Sequence, residues 1–350
     1  MRVLIATDAW HPQTNGVVRT LTSMARAAKG LGVSIEFLTP EGFPTFPLPT
    51  YANLRLAIPN PREIARRIET VNPDAIHIAT EGPIGFAARA HCRRRGRPFT
   101  TSYTTCFPEY IAARAPIPES LTYALLRRFH AAATVTMVST TSLMNQLRGR
   151  GFRNLSMWTR GVDADLFVPD RVIPLDLPRP IFLTAGRLAV EKNLEAFLSL
   201  DLPGSKVVIG EGPQEAELRQ RFRDVTFLGL RKGPELAGLM AAADVFVFPS
   251  RTDTFGVVQL EALACGIPVA AFPVMGPRDV IGGNAVGVLD EDLRAACLGA
   301  LTLSREACRN FALTRSWATS AREFIANVSR ALHQPREIRA AASIPASARG

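Results

Sequence analysis

Three hundred and fifty residues are long for one core and suit two domains of about 150 residues each, and 47% apolar with 21% charged residues is the balance of a globular chain, not a disordered one. No run approaches the roughly 20 apolar residues that span a bilayer. Five cysteines without a C-x-x-C pair, Cys92, Cys106, Cys265, Cys297 and Cys308, argue against a disulfide framework or zinc site and for a reducing compartment.

The net charge of +10 is lopsided: residues 1–165 hold 20 Lys/Arg against 11 Asp/Glu, and residues 166–350 hold 21 against 20. Arginines 62, 66, 67, 93, 94, 95, 97, 127, 128, 148, 150 and 153 make up much of the excess. Such asymmetry points to an anionic partner. Nucleic acid is the weaker choice, because no binding motif appears and the basic residues are not interleaved with aromatics. A membrane surface is therefore the expected partner.

In chain order, residues 3–6 read as a first buried strand, following an N-terminus too short and too soon charged for a signal peptide. The loop 7–17 carries Asn15-Gly16, where backbone can approach a phosphate or sugar closely; a plain turn with an N-cap fits as well. Helix 17–31, strand 34–38, helix 64–71, strand 75–78, helix 85–95, strand 99–103, helix 121–133 and strand 134–138 follow. Alternation of this kind means a parallel sheet covered by helices. Tyr103, Phe107 and Tyr110 either line a channel or pack a core. Four prolines within 169–180 make a linker. The rhythm then restarts with strands 181–185, 206–209, 225–228, 245–248 and 269–272 and helices 194–200, 214–223, 236–242, 257–264 and 293–300. A last helix is expected at 317–332, and the Ala/Ser/Pro/Arg-rich tail 334–350 is expected to be disordered.

Two segments carry chemistry. After strand 181–185, Arg187 and Lys192 lie five apart across a loop and the first turn of a helix. A guanidinium fork and a compact ammonium suit two adjacent phosphates, although surface Arg/Lys pairs are common. After strand 245–248, Asp253 and Glu261 lie eight apart around a Phe255-Gly256 turn. The backbone N–H groups that open the next helix can donate to sugar hydroxyls or phosphate. Glu261 can accept from a vicinal diol such as a ribose, and an ordinary βα unit with solvated carboxylates is the bland alternative.

The stretch 248–269 resembles the E-x7-E donor-site signature of the retaining glycosyltransferases of sequence family 4, with Asp253 at the first Glu. The resemblance extends over roughly residues 1–330. It implies an α/β GT-B fold: two doubly wound Rossmann-like domains facing across a cleft. An acceptor-binding domain would span 1–168 and a nucleotide-sugar domain 169–316, with helix 317–332 packing back on the first. The resemblance further implies that Arg187 and Lys192 clamp the diphosphate and that Asp253 with Phe255, Gly256 and Val257 orients the sugar. Glu261 would hold the ribose, the turn at Glu211 would lie on the donor side, and Asn15 and Gly16 would lie over the diphosphate. No cofactor is expected beyond the nucleotide-sugar substrate. With no D-x-D sequence, the cations are expected to replace a metal.

Relatives carry His where Thr104 stands, and often a basic residue where Cys106 stands. Thr104 can hydrogen-bond but carries no charge. Thr104, Tyr103 and Glu109 are the candidate sugar or acceptor contacts. The Thr-Asp-Thr-Phe-Gly sequence, residues 276–280 and the loop 7–17 look most like bacterial enzymes that glycosylate diacylglycerol, with phosphatidylinositol mannosyltransferases similar. The expectation is transfer from a UDP-sugar to diacylglycerol, with retention, by a cytoplasmic protein peripheral on the membrane. GDP-mannose-dependent transfer to a lipid or polysaccharide precursor is the alternative, and a non-catalytic membrane-binding relative is the reading from another class.

Overall fold

The computed structural model describes residues 1–11, 16–48, 51–112 and 117–333. In the first half the chain runs β1 (Arg2–Ala6), α1 (Gly16–Lys29), β2 (Ser34–Leu38), β3 (Thr45–Leu48), β4 (Tyr51–Ala57), α2 (Pro61–Val71), β5 (Ala75–Ile78), α3 (Pro83–Arg94), β6 (Thr100–Tyr103), α4 (Phe107–Ala112), α5 (Glu119–His130), β7 (Val135–Val138), α6 (Thr141–Gly149) and β8 (Leu155–Met157). Residues 170–180 form no helix or strand. The second half runs β9 (Ile181–Ala185), α7 (Leu194–Leu198), β10 (Ser205–Ile209), α8 (Glu215–Arg221), β11 (Thr226–Gly229), α9 (Gly233–Ala241), β12 (Val245–Phe248), α10 (Val257–Ala264), β13 (Val269–Ala271), α11 (Met275–Val280), β14 (Gly287–Leu289), α12 (Leu293–Ala300), α13 (Arg305–Leu313) and α14 (Trp317–His333).

The strands form two parallel six-stranded sheets, β2-β1-β5-β6-β7-β8 and β11-β10-β9-β12-β13-β14. Apolar side chains bury both faces of the central strands, and β5, β7 and β12 are buried at every position, as a helix-covered parallel sheet requires. In the second sheet the direction of winding reverses between β9 and β12. Ligands in such sheets bind in the crevice beyond the carboxyl ends of the strands at this reversal. The loops carrying Arg187–Lys192 and Asp253–Glu261 leave the ends of these two strands.

Several elements differ from the sequence expectation. The β3–β4 hairpin, paired Thr45↔Ala57 and Phe46↔Leu56, hides in a proline-rich stretch, because a two-stranded ribbon tolerates Pro47 at its edge. Helices α6 and α13 are short and announced only by their caps: Thr140 Oγ1 accepts from Leu143 N and Ser304 Oγ from Ala307 N, each at 3.2 Å. Helix α7 stops at Leu198, after a 3₁₀ turn over Val190–Lys192 and Asn193 at φ +51°. The tail 334–350 lies outside the described residues.

Helix α14 packs on the first domain. Ala321, Phe324 and Val328 are buried with Val3 and Ile5 of β1 and Leu21 and Met24 of α1. Trp158 Nε1 donates to Ser320 Oγ at 3.1 Å, and Glu323 accepts from Thr159 N and Oγ1. His77 sits under this helix, edge-on to the Phe324 and Trp158 rings, between Thr100 Oγ1 and Ser102 Oγ. Burial pushes its pKa down to about 3. His77 is therefore a neutral core residue and takes no part in the cleft.

Candidate active site

The side of the cleft expected to hold the donor is built from loops in backbone contact. A Cβ on Gly210 would lie 1.8 Å from Gly186 O, and one on Gly212 would lie 2.3 Å from Leu188 O. The loops after β9 and β10 thus meet where only glycine fits. Glu211 lies on the second of them with an exposed side chain, and Arg187 on the first is half-buried. Lys192, at the end of the 3₁₀ turn, reaches the loop after β12: its Nζ donates to Asp253 Oδ1 at 2.7 Å and Oδ2 at 2.8 Å. Two residues expected from the sequence to meet different parts of a donor hold each other here.

Gly256 caps α10 at φ +79°, with Phe248 Cζ 2.6 Å from where a Cβ would sit. This turn brings Phe255 and Val257, both half-buried, to the helix start. Glu261, one turn further, is buried, and its carboxylate is held at two points by Arg19 of α1, with Nη2 2.7 Å from Oε1 and Nη1 2.8 Å from Oε2. Burial raises the Glu261 pKa to about 7; Arg19 opposes that shift and Asp163 adds to it. Sequence reasoning missed Arg19. The only signal for it was a cation one turn into the helix that follows the glycine loop.

The opposing wall comes from the first domain. Thr254 Oγ1 donates to Thr104 O at 2.9 Å, and Ser142 N donates to Asp279 Oδ1 at 3.1 Å, so the β6 and β7 ends meet the second domain directly. Thr104 thus stands opposite the donor loop, and its own Oγ1 is buried with no protein partner among the described residues. Tyr103 is core: it packs among Tyr123, Leu126 and Phe152, with its hydroxyl buried and without a hydrogen-bond partner among the described residues. Of the two readings of that ring, packing is the one observed. Glu109 accepts from Tyr123 Oη at 2.5 Å and Gln146 Nε2 at 3.3 Å. Cys106 is buried near Glu109 and Asp253, and burial pushes its thiol pKa up. It is not a nucleophile in this state.

Gly16 opens α1 with no atom within 4 Å of a would-be Cβ. Asn15 lies outside the described residues, as does the Tyr110 side chain. Asp8, in the same loop, is spent on structure: it accepts from Ile84 N at 2.7 Å, Gly85 N at 3.2 Å and Thr80 Oγ1 at 2.8 Å, fixing the start of α3. A shallow hollow of about 420 Å³ lined by Arg179, Asp244 and Arg305 lies elsewhere, at the opposite ends of the strands. Its cations are used internally, Arg179 by Asp244 and Arg305 by the carbonyls of Ala241 and Ala243.

Two doubly wound domains with facing loops define the GT-B fold, which this chain shares with sucrose-phosphate synthase from Thermosynechococcus elongatus at a TM-score of 0.74 and 19% identity, over 97% of this chain and 100% of that one. The family model described as "Glycosyltransferase Family 4" matches residues 14–166, and "Glycosyl transferases group 1" matches residues 179–303. The chain belongs to glycosyltransferase family 4, group 1, and is a retaining hexosyltransferase that uses a nucleotide-sugar donor. It is 29% identical to a GDP-mannose-dependent alpha-mannosyltransferase of Mycobacterium tuberculosis, over 83% of each chain. Identity to the protein of the same name in Mycolicibacterium smegmatis is also 29%, over 97% of this chain and 100% of that one.

Proposed function

We propose that the protein transfers mannose from GDP-mannose to a lipid acceptor, with retention, at an anionic membrane surface. The observation that carries the donor is the full-length likeness to proteins named GDP-mannose-dependent alpha-mannosyltransferases. It favours GDP-mannose over the UDP-sugar expected from the signature alone, and with the UDP-sugar goes the preference for diacylglycerol.

In this reading the diphosphate lies on Arg187 and Lys192, the ribose on Glu261, and the mannose against Asp253 and the Phe255–Val257 backbone. Arrival of the donor splits the Lys192–Asp253 pair: the phosphates draw the ammonium, and the sugar hydroxyls draw the carboxylate. The bond from the anomeric carbon to the phosphate oxygen breaks while the acceptor oxygen bonds on the same face. The acceptor proton passes to the leaving phosphate. Lys192 and Arg187 stabilise the charge that develops there, an effect of about 3–4 kcal/mol per well-placed donor. Thr104 supplies a hydroxyl where relatives supply an imidazole.

The lipid acceptor rests on the first domain's charge and on an exposed apolar face of α5, described below. No helix among the described residues is long and apolar enough to cross a membrane, so contact would be peripheral. The test offers GDP-[14C]mannose or UDP-[14C]glucose with phosphatidylglycerol vesicles containing phosphatidylinositol or diacylglycerol. Labelled lipid is expected from GDP-mannose. Label from UDP-glucose alone overturns the donor, and vesicle binding without product from either overturns the transfer reading in favour of a binding protein.

A further inference from the structure

The guanidinium of Arg19 and the carboxylate of Glu261 form a two-point pair across the domain boundary, 242 residues apart in sequence. The Glu261 side chain is 3% exposed and that of Arg19 38%, so a buried carboxylate is held by a cation that reaches solvent. Arg19 is itself held, its guanidinium 5.3 Å from the centre of the Phe167 ring. Phe167 lies on the segment joining the two domains and is buried in the second domain's core. A bidentate arginine takes one lone pair from each carboxylate oxygen and leaves one on each. The two that remain match the two hydroxyls of a vicinal diol.

We propose that Arg19 is a positioning residue of the donor site: it fixes the Glu261 carboxylate so that its remaining lone pairs face the ribose diol. The inference rests on reading Glu261 as the ribose acceptor. It adds that the nucleotide site of the second domain is incomplete without a side chain from the first.

Electrostatics supports the geometry. Burial alone would protonate Glu261 near neutral pH, and Arg19 is the group that opposes it. The other charged or titratable neighbours work otherwise. Asp163, on the connecting segment, raises the Glu261 pKa further. Cys265, which caps the C-terminus of the same helix, is a thiol whose own pKa burial raises to about 12. Arg309 and Arg305 of α13 spend their guanidinium groups on the carbonyls of Phe167, Ala264, Ala164, Ala243 and Ala241. Only Arg19 makes direct bonds to the Glu261 carboxylate among the described residues.

The test measures GDP binding by calorimetry, and donor KM and kcat, from pH 6 to 9 for the wild type, Arg19→Gln, Arg19→Lys and Glu261→Gln, with 2′-deoxy-GDP as a second probe. Arg19→Gln is expected to raise the GDP Kd and the donor KM about tenfold at pH 7, with kcat within twofold. The pH at which affinity is half lost should move up by about one unit, and Arg19→Lys should recover part of both. Removing the 2′-hydroxyl should weaken wild-type binding more than it weakens Arg19→Gln. GDP affinity unchanged or tighter in Arg19→Gln overturns the proposal, as does equal loss for both nucleotides or a fall in kcat alone. If Glu261→Gln binds GDP as the wild type does, the ribose reading itself is wrong. If Glu261→Gln weakens binding while Arg19→Gln does not, only the role of Arg19 fails.

Discussion

Lys192 and Asp253 pair with each other, 2.7 Å apart, and in the proposed mechanism each is drawn to a different part of the donor. Lys192→Met is expected to lower turnover by roughly 100- to 1000-fold, the size of losing one transition-state donor, and Asp253→Asn to lower it as well. Because the two touch, the double variant should lose less than the product of the single losses; initial rates at saturating donor decide it, and strictly multiplicative losses would mean that the pair does not act together. Glu261 permits a test that needs no substrate. Its folded pKa of about 7 lies above the ordinary 4.5, so between those values the folded state binds more protons than the unfolded state. The favourable contribution is complete below about pH 4.5 and is lost as pH rises through 7, by an amount of roughly 3 kcal/mol at most. Glu261→Gln removes that slope. Urea unfolding should therefore show the variant gaining stability relative to the wild type from pH 5 to 8, and a constant difference would mean that Glu261 titrates normally.

Among the elements, α10 depends on one backbone conformation. Gly256→Ala would place a methyl group 2.6 Å from the Phe248 ring and 2.7 Å from the Gln259 amide at φ +79°, costing about 1–3 kcal/mol in strain and tilting the amides that the proposed mechanism sets against the sugar. Gly32→Ala, at φ +74° with open space around it, carries the backbone cost alone. Thermal melts should rank Gly256→Ala well below Gly32→Ala, with donor KM raised only in the former; equal melting losses would mean that packing at the cap is slack. The strand–loop–helix units bearing Arg187, Lys192, Asp253 and Glu261 were readable because β-branched runs, Gly-bounded turns and amphipathic helices agree locally with the global fold. The β3–β4 hairpin was not readable, since Pro47 weakens its strand signal. Arg19 was not readable either. Its partner is set by how two domains meet, and no local spacing encodes that. The Tyr103 ring, open between channel and core, was decided by packing from α5 and α6.

For the molecule as a whole, the charge asymmetry of 20 Lys/Arg against 11 Asp/Glu in the first half is unchanged by folding, but several of its arginines have local partners. Arg66 and Arg67 share Glu63, Arg95 pairs with Glu69, and Arg97 donates to Pro73 O. These arginines are used in holding the fold, which a count along the sequence cannot reveal. Helices α3 and α5 lie side by side, joined by the Phe86–Phe129 ring contact at 4.8 Å and by Arg89 donating to Phe129 O at 2.9 Å. Leu121 and Leu125 of α5 are 64% and 54% exposed, and Phe86 of α3, Arg128 of α5, and Arg93 and Arg94 of α3 are exposed as well. Leu121, Leu125 and Arg128 follow one stripe of α5 at i, i+4, i+7 spacing. Exposed leucines flanked by arginines are what an interfacial helix offers to anionic headgroups. Each basic residue near such a surface contributes about 1 kcal/mol, and salt screens it over roughly 8 Å at physiological ionic strength. Binding to phosphatidylglycerol vesicles is therefore expected at low salt and should weaken steeply as salt rises. Leu121→Ser combined with Leu125→Ser should weaken it about equally at every salt concentration, because apolar burial is not screened. Arg93→Gln, Arg94→Gln and Arg128→Gln together should flatten the salt dependence and leave the apolar part intact. Vesicle sedimentation from about 50 to 500 mM salt separates the two terms. Equal binding to uncharged phosphatidylcholine, or indifference to both sets of substitutions, would remove this face as the docking surface and leave the basic first domain without a partner.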